Sequence, residues 1–178
     1  MALTRQNYKR RLIDDKVDRY LKVFGAISIE GPKWCGKTWT SLNHSESVSY
    51  LTEKEIRRLA EVDPKYIFAK LRPQLIDEWQ LVPEIWDAVR HECDMDSDTG
   101  KFILTGSTSL NREDSQKVFH SGAGRIARLK MYTMSLFESG DSTGDVSIID
   151  MLNSTVKCGY IRKVELTELA QYIIRGGW

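Results

Sequence analysis

Short apolar runs alternate with longer amphipathic segments along this chain. Val23 to Glu30 (V-F-G-A-I-S-I-E), Gln74 to Asp77 (Q-L-I-D) and Lys101 to Gly106 (K-F-I-L-T-G) are compact and carry few charges. Runs of that kind read as strands buried in a parallel sheet. Ser47 to Leu51 and Ile126 to Met131 are two further strand candidates. The segments between them have helical character. Asn7 to Tyr20 sets Tyr8, Leu12 and Val17 near helical spacing, with Leu21 just beyond. Thr52 and Glu55 have capping-box spacing and predict a helix running to about Val62, stopped by Asp63-Pro64. Pro83 to Cys93 reads as a helix with Pro83 in its first turn and Ile85, Trp86 and Val89 on one face. Strands alternating with helices predict an α/β fold of three layers, α/β/α, around a mainly parallel sheet. In such sheets ligands bind beyond the carboxyl ends of the strands.

The segment after the first strand carries the chemistry. Gly31-Pro32-Lys33-Trp34-Cys35-Gly36-Lys37-Thr38 fits G-x-x-x-x-G-K-[ST], the phosphate-binding P-loop. A strand precedes it, and Thr38 to Leu42 can start a helix whose N-terminus faces the bound anion. Gly31 and Gly36 allow backbone angles and close approach that a Cβ would block. Lys37 is expected to reach the β- and γ-phosphates, and the Thr38 hydroxyl to hold Mg²⁺. Trp34 and Cys35 occupy free positions of the pattern.

A second motif converts binding into chemistry. Leu75-Ile76-Asp77-Glu78 is an apolar strand ending in two carboxylates. Asp77 is expected to bind the Mg²⁺ shell, and Glu78 to act as general base on the attacking water. Thr105, Ser107 and Thr108 end the next buried strand, where a hydroxyl could bond the γ-phosphate or that water. Gly122-Ala123-Gly124-Arg125 leads into an arginine, and Arg125 or Arg128 is a candidate to stabilise transition-state charge, in cis or in trans. Trp39, Trp79 and Trp86 read as core or interface residues rather than base-stacking platforms.

Composition removes several alternatives. The 178 residues carry a formal net charge of +1, so no global field favours nucleic acid or anionic lipid. The basic cluster Arg5, Lys9, Arg10 and Arg11 reads as the solvated face of the first helix. Cys35, Cys93 and Cys158 are odd in number and widely spaced, which argues against a disulfide framework or zinc site and suits a reducing, cytoplasmic setting. His44, His91 and His120 have no metal-ligand spacing. No apolar run approaches the length of a membrane span, and the first residues lack the apolar core of a signal peptide. After Glu138 the character changes to a polar linker, Ser139 to Asp145, followed by small strands and a helix from Leu166 to Ile174. Residues 1–138 are therefore expected to form the nucleotide domain, and 139–178 a linker and the start of a second domain.

The order G-P-K-W-C-G-K-T, L-I-D-E-W-Q-L-V-P-E-I-W, F-I-L-T-G-S-T and G-R-I-A-R-L-K-M-Y-T-M-S-L-F-E resembles the prokaryotic AAA+-related ATPases that carry a C-terminal domain of unknown function, the AAA_14 plus DUF4143 architecture. The resemblance implies a P-loop fold in which the sensor strand lies between the P-loop strand and the acidic strand. It implies ATP and Mg²⁺ as ligands, Lys37 and Thr38 as phosphate and metal residues, and Asp77-Glu78 as the acidic motif. It also implies Thr105 or Ser107 as sensor and Arg125 as finger, with a homo-oligomer where that finger acts in trans. The chain departs from the family at Lys33-Trp34, usually Arg-Gln, at Trp39, and at Met134, usually Pro. Tyr172 to Trp178 looks like the opening of the family's second domain, so a C-terminal truncation is expected. The functional expectation is ATP hydrolysis coupled to movement of an attached domain. A nucleotide-regulated binding module with little turnover is the alternative. A kinase is disfavoured by Gln80 after the acidic pair and by the lack of an evident acceptor lid. No N-K-x-D motif points to guanine. The client, protein or nucleic acid, stays open.

Overall fold

A computed structural model of the chain describes residues 8–69, 71–95, 97–106, 122–156 and 164–177. It divides into two compact units, Met1–Tyr132 and Thr133–Trp178.

The first unit is built on five strands: β1 (Ala26–Glu30), β2 (Ser47–Tyr50), β3 (Gln74–Asp77), β4 (Phe102–Gly106) and β5 (Ile126–Lys130). All neighbouring pairs are parallel, in the order β2-β3-β4-β1-β5. The sensor strand β4 thus lies between the P-loop strand and the acidic strand. Helices α1 (Asp14–Leu21) and α2 (Lys37–Asn43) pack on one face. Helices α3 (Lys54–Val62) and α4 (Glu84–Asp94) cover the other.

The alternation within each strand sorts the core into two halves. Ile27, Ile29, Leu75, Ile103 and Leu129 meet Val17 and Cys35 on the α1–α2 side. Ala26, Ile76, Phe102, Leu104 and Ile126 meet Trp79, Ile85, Trp86 and Val89 on the other. A strand that buries both faces needs apolar residues at odd and even positions alike, which is why these runs looked continuous. Trp79 and Trp86 pack against each other in the core with tilted rings, their centroids 4.9 Å apart. Removing a fully buried indole such as Trp86 costs about 3–5 kcal/mol.

Several boundaries differ from the sequence expectation. The first helix starts at Asp14, not Asn7, because the Asp14 carboxylate draws the preceding residues into a turn. Its Oδ2 accepts the Arg11 N–H at 2.8 Å, and its Oδ1 accepts the Tyr8 hydroxyl at 2.7 Å. Residues 8–13 form an arm, and Leu12 points to solvent. Thr52 does not cap α3. The chain leaving β2 is still turning there, with Glu53 N–H on the Tyr50 carbonyl, so Glu53 becomes the N-cap residue.

The second unit contains α5 (Leu136–Ser139), α6 (Ile148–Leu152) and α7 (Leu166–Arg175). A capping box joins Ser135 and Glu138. Among its described residues there is no strand, and the small strands expected after Asp150 fall in part on residues 157–163, outside the described residues. Ser147 accepts the Asp150 N–H at 3.0 Å and starts a helical turn instead. The Arg175 guanidinium donates to Asp141 at 2.8 Å, and the Tyr172 hydroxyl donates to Glu168 at 2.7 Å.

Candidate nucleotide-binding site

The P-loop leaves the carboxyl end of β1 and runs into α2. Each glycine has a local reason. A Cβ on Gly31 would sit 2.3 Å from the Met131 carbonyl oxygen, since the chain after β5 closes directly against the loop. Gly36 has φ +96°, a left-handed conformation that a side chain strains, and it is the residue from which α2 begins. Trp34, at the loop's turn, also has a positive φ and is 85% exposed. Cys35 is buried among Ile27, Ile29 and Leu129 and anchors the loop from below.

The two charged groups at the strand ends are buried. Lys37 is 7% exposed, and its ammonium donates to the carbonyls of Gly31 at 2.9 Å and Pro32 at 2.8 Å. Asp77, also 7% exposed, ends β3. Its Oδ1 accepts the Thr38 hydroxyl at 2.8 Å and the Thr105 hydroxyl at 2.5 Å. Thr38, Asp77 and Thr105 come from α2, β3 and β4, so the sheet order alone brings them together. Burial pushes the Asp77 carboxyl above its ordinary value. The two hydroxyl donors and the nearby Lys37 act in the opposite direction, and the neighbouring Glu78 adds to the rise.

Glu78 follows with φ +59°, which turns it out of the strand line. Such a conformation is uncommon for a residue with a side chain and persists where its surroundings hold it. The Thr105 hydroxyl accepts the Glu78 N–H at 3.3 Å, and the Gln80 side-chain amide donates to the Glu78 carboxylate. Thr105 is therefore fully buried and tied to Asp77 and Glu78. Its hydroxyl thus links the Asp77 carboxylate to the Glu78 backbone amide. Ser107 and Thr108 lie outside the described residues.

A hydroxyl and a carboxylate oxygen in contact suit a small hard cation such as Mg²⁺, which is commonly bound by one or two protein oxygens and completed by phosphates and water. Among the described residues no cluster of three His, Cys, Asp or Glu side chains forms a protein-only metal cage. The residues fit a metal that arrives with its nucleotide.

Comparison with known proteins sets this geometry in a family. A family model described as an AAA domain, AAA_14, matches residues 24–139. The chain belongs to the AAA_14 family. Nucleotide binding is the coarse function that this membership carries. Among solved structures, the DnaC helicase loader aligns with a TM-score of 0.46 and 9% identity, over 72% of this chain and 96% of that one. Domain III of the Thermotoga maritima replication initiation protein DnaA aligns with a TM-score of 0.47 and 15% identity, over 78% and 70%. No curated protein matches the sequence.

One expected site residue of this AAA_14 chain is elsewhere. Arg125 precedes β5 and accepts the Ala26 N–H at its carbonyl, so it stands beside the amino end of β1. The P-loop is at the opposite end, roughly 20 Å away along the strand. The Arg125 guanidinium is half exposed and pairs with Asp94, holding that carboxyl below its ordinary value. A cis contact with the γ-phosphate is corrected by this placement. Arg128, the other candidate, lies over the Trp86 ring at 4.9 Å and near Glu30 at 3.7 Å.

Local pattern missed a polar cluster under the loop. Arg11 is buried, not solvated, and donates to the carbonyls of Cys35 and Tyr132. The Tyr8 oxygen lies 3.0 Å from Thr40 Oγ1 of α2. His44, at the end of α2, sits between Asp14 at 3.3 Å and Asp18 at 2.9 Å. Burial lowers its pKa, but the two carboxylates outweigh it, and the net shift is upward. Nothing in the order of residues marks these contacts, because Arg11 bonds carbonyls 24 and 121 positions away. No helix among the described residues is long and apolar enough to cross a membrane.

Proposed function

We propose that this chain binds ATP with Mg²⁺ and hydrolyses it, and that hydrolysis changes the conformation of residues 133–178. The observation that carries the reading is the junction of Thr38 and Asp77 at 2.8 Å, directly beside the buried Lys37. The loop Gly31, Pro32, Lys33, Trp34, Cys35 and Gly36 would cradle the phosphates with its amides, and Lys37 would exchange its carbonyl partners for phosphate oxygens. Thr38 and Asp77 would hold Mg²⁺, which when bound neutralises charge on the β- and γ-phosphates. Glu78 would accept a proton from the attacking water as its oxygen forms the new bond to phosphorus and ADP leaves. Thr105 keeps Asp77 and Glu78 in register. Arg125 can serve a phosphate only across an interface between copies, in which case turnover per chain rises with protein concentration.

The competing reading, a nucleotide-regulated module with little turnover, draws on the Gln80–Glu78 hydrogen bond, which occupies part of the carboxylate that a base would need. Phosphate release with Mg·ATP separates the two. Wild-type turnover that falls about 10²–10⁴-fold in Glu78→Gln, with ATP affinity kept, supports hydrolysis. Tight ATP binding by the wild type without phosphate release would sink it.

A further inference from the structure

Resting on the reading of residues 31–38 as the phosphate cradle, we propose that Arg11 is a positioning residue of the nucleotide site, one that sets the Cys35–Gly36 peptide so that its N–H faces the phosphates. The Arg11 guanidinium is buried beneath the loop. Its Nη1 donates to the Cys35 carbonyl at 2.7 Å and its Nη2 to the Tyr132 carbonyl at 3.0 Å. The Cys35–Gly36 peptide is trans, so its C=O and N–H point in opposite directions. Drawing the carbonyl down onto Arg11 turns the Gly36 N–H away from the guanidinium. Gly36 is also the N-cap residue of α2, the helix that carries Lys37 and Thr38.

The same guanidinium explains the crowding at Gly36. A Cβ there would lie 3.0 Å from Arg11 Nη1. The loop's Cys35–Gly36 peptide is thus held from the Arg11 side. The anchor is itself fixed. Asp14 accepts the Arg11 backbone N–H at 2.8 Å and the Tyr8 hydroxyl at 2.7 Å, and Tyr8 reaches Thr40 in α2. The arm and the helix that carries Lys37 and Thr38 therefore share one hydrogen-bonded support. A planar fork holds two carbonyls at a set separation, and a lysine ammonium does not.

The test uses the full chain and titrates ATP calorimetrically into wild type, Arg11→Ala, Arg11→Lys and Lys37→Ala. Unfolding midpoints in urea without nucleotide and the Gly36 amide resonance with and without ATP complete the set. Loss of one charge-assisted contact to phosphate predicts about ten- to hundredfold weaker ATP binding in folded Arg11→Ala. The ATP-induced shift of the Gly36 resonance shrinks, and Arg11→Lys lies between Arg11→Ala and wild type. Wild-type affinity and a full Gly36 shift in Arg11→Ala, whatever its urea midpoint, overturn the inference, because a purely stabilising arginine would behave so. Where Arg11→Ala does not fold, the same readings on Arg11→Lys decide. If Lys37→Ala loses ATP while both Arg11 variants keep it, only this inference falls. If the wild type binds no ATP, the reading of the loop falls with it.

Discussion

The two ends of the sheet arrange charge differently. At the carboxyl end Lys37 and Asp77 are buried and interlocked with backbone carbonyls and hydroxyls. At the amino end Arg125 and Asp94 pair in half-exposed positions beside a cavity of about 480 Å³ lined by Gly25, Cys93 and Asp98. A buried charge is costly unless every partner is in place, whereas an exposed ion pair contributes little. At the carboxyl end a buried ammonium and a buried carboxylate converge with two hydroxyls, the arrangement that the proposed site requires. At the amino end the buried Lys101 ammonium donates to the Glu92 carbonyl at 2.9 Å, while the side chains of Asp94 and Arg125 stay partly exposed.

The contrast is most easily broken at Lys37. Lys37→Ala should weaken ATP binding about 10²–10³-fold in calorimetry, and an unchanged affinity would remove the distinction between the two ends. Asp77→Asn should cut phosphate release at least about a hundredfold, since the proposed Mg²⁺ site would lose its carboxylate. The same variant should be more resistant to urea in the absence of nucleotide. Asp77 has a folded pKa above the unfolded 3.8, so the native state holds the proton longer and stability falls as pH rises between the two values. At neutral pH the ionised carboxylate is a burden that asparagine lacks. A drop in the urea midpoint on this substitution would show that the Asp77 charge is stabilising.

A smaller effect belongs to His44. Its folded pKa is raised above 6.5, so its contribution to stability is complete below about pH 6.5 and is lost as pH climbs through the raised value. Urea midpoints should decline over that window in the wild type and stay flatter in His44→Gln. Asp14 runs the other way. Burial favours its neutral form, but hydrogen bonds from His44, the Arg11 backbone and Tyr8 hold it below 3.8, so its contribution is present above that pH and is lost in acid. The smallest effect is expected at the amino end. Arg125→Ala should leave the urea midpoint and the turnover of dilute protein unchanged. A loss of turnover confined to concentrated protein would point to a finger acting between copies.

The P-loop and the acidic strand were legible because each is a contiguous string whose local geometry is its function. The glycines, lysine and threonine of residues 31–38 need no distant partner to announce a phosphate cradle. The apolar strands were legible for a related reason, since burial on both faces leaves an unbroken run. Helix starts were less legible. Thr52 carries the right residue type for a cap, but a turn inherited from β2 decided where α3 begins.

By itself, then, the order of amino acids determined the layered α/β architecture and the residues proposed to face a triphosphate, because periodicity and motif spacing are local properties. Tertiary structure decided what pairs across the sheet. It placed β4 between β1 and β3, so that Thr105 meets Asp77 and Glu78. It sent Arg125 to the far end of the strands and brought Arg11 from an apparent surface cluster to the underside of the loop. Those outcomes depend on contacts between residues distant in the chain, and on the cost of leaving a buried polar group without a partner, which no local pattern records.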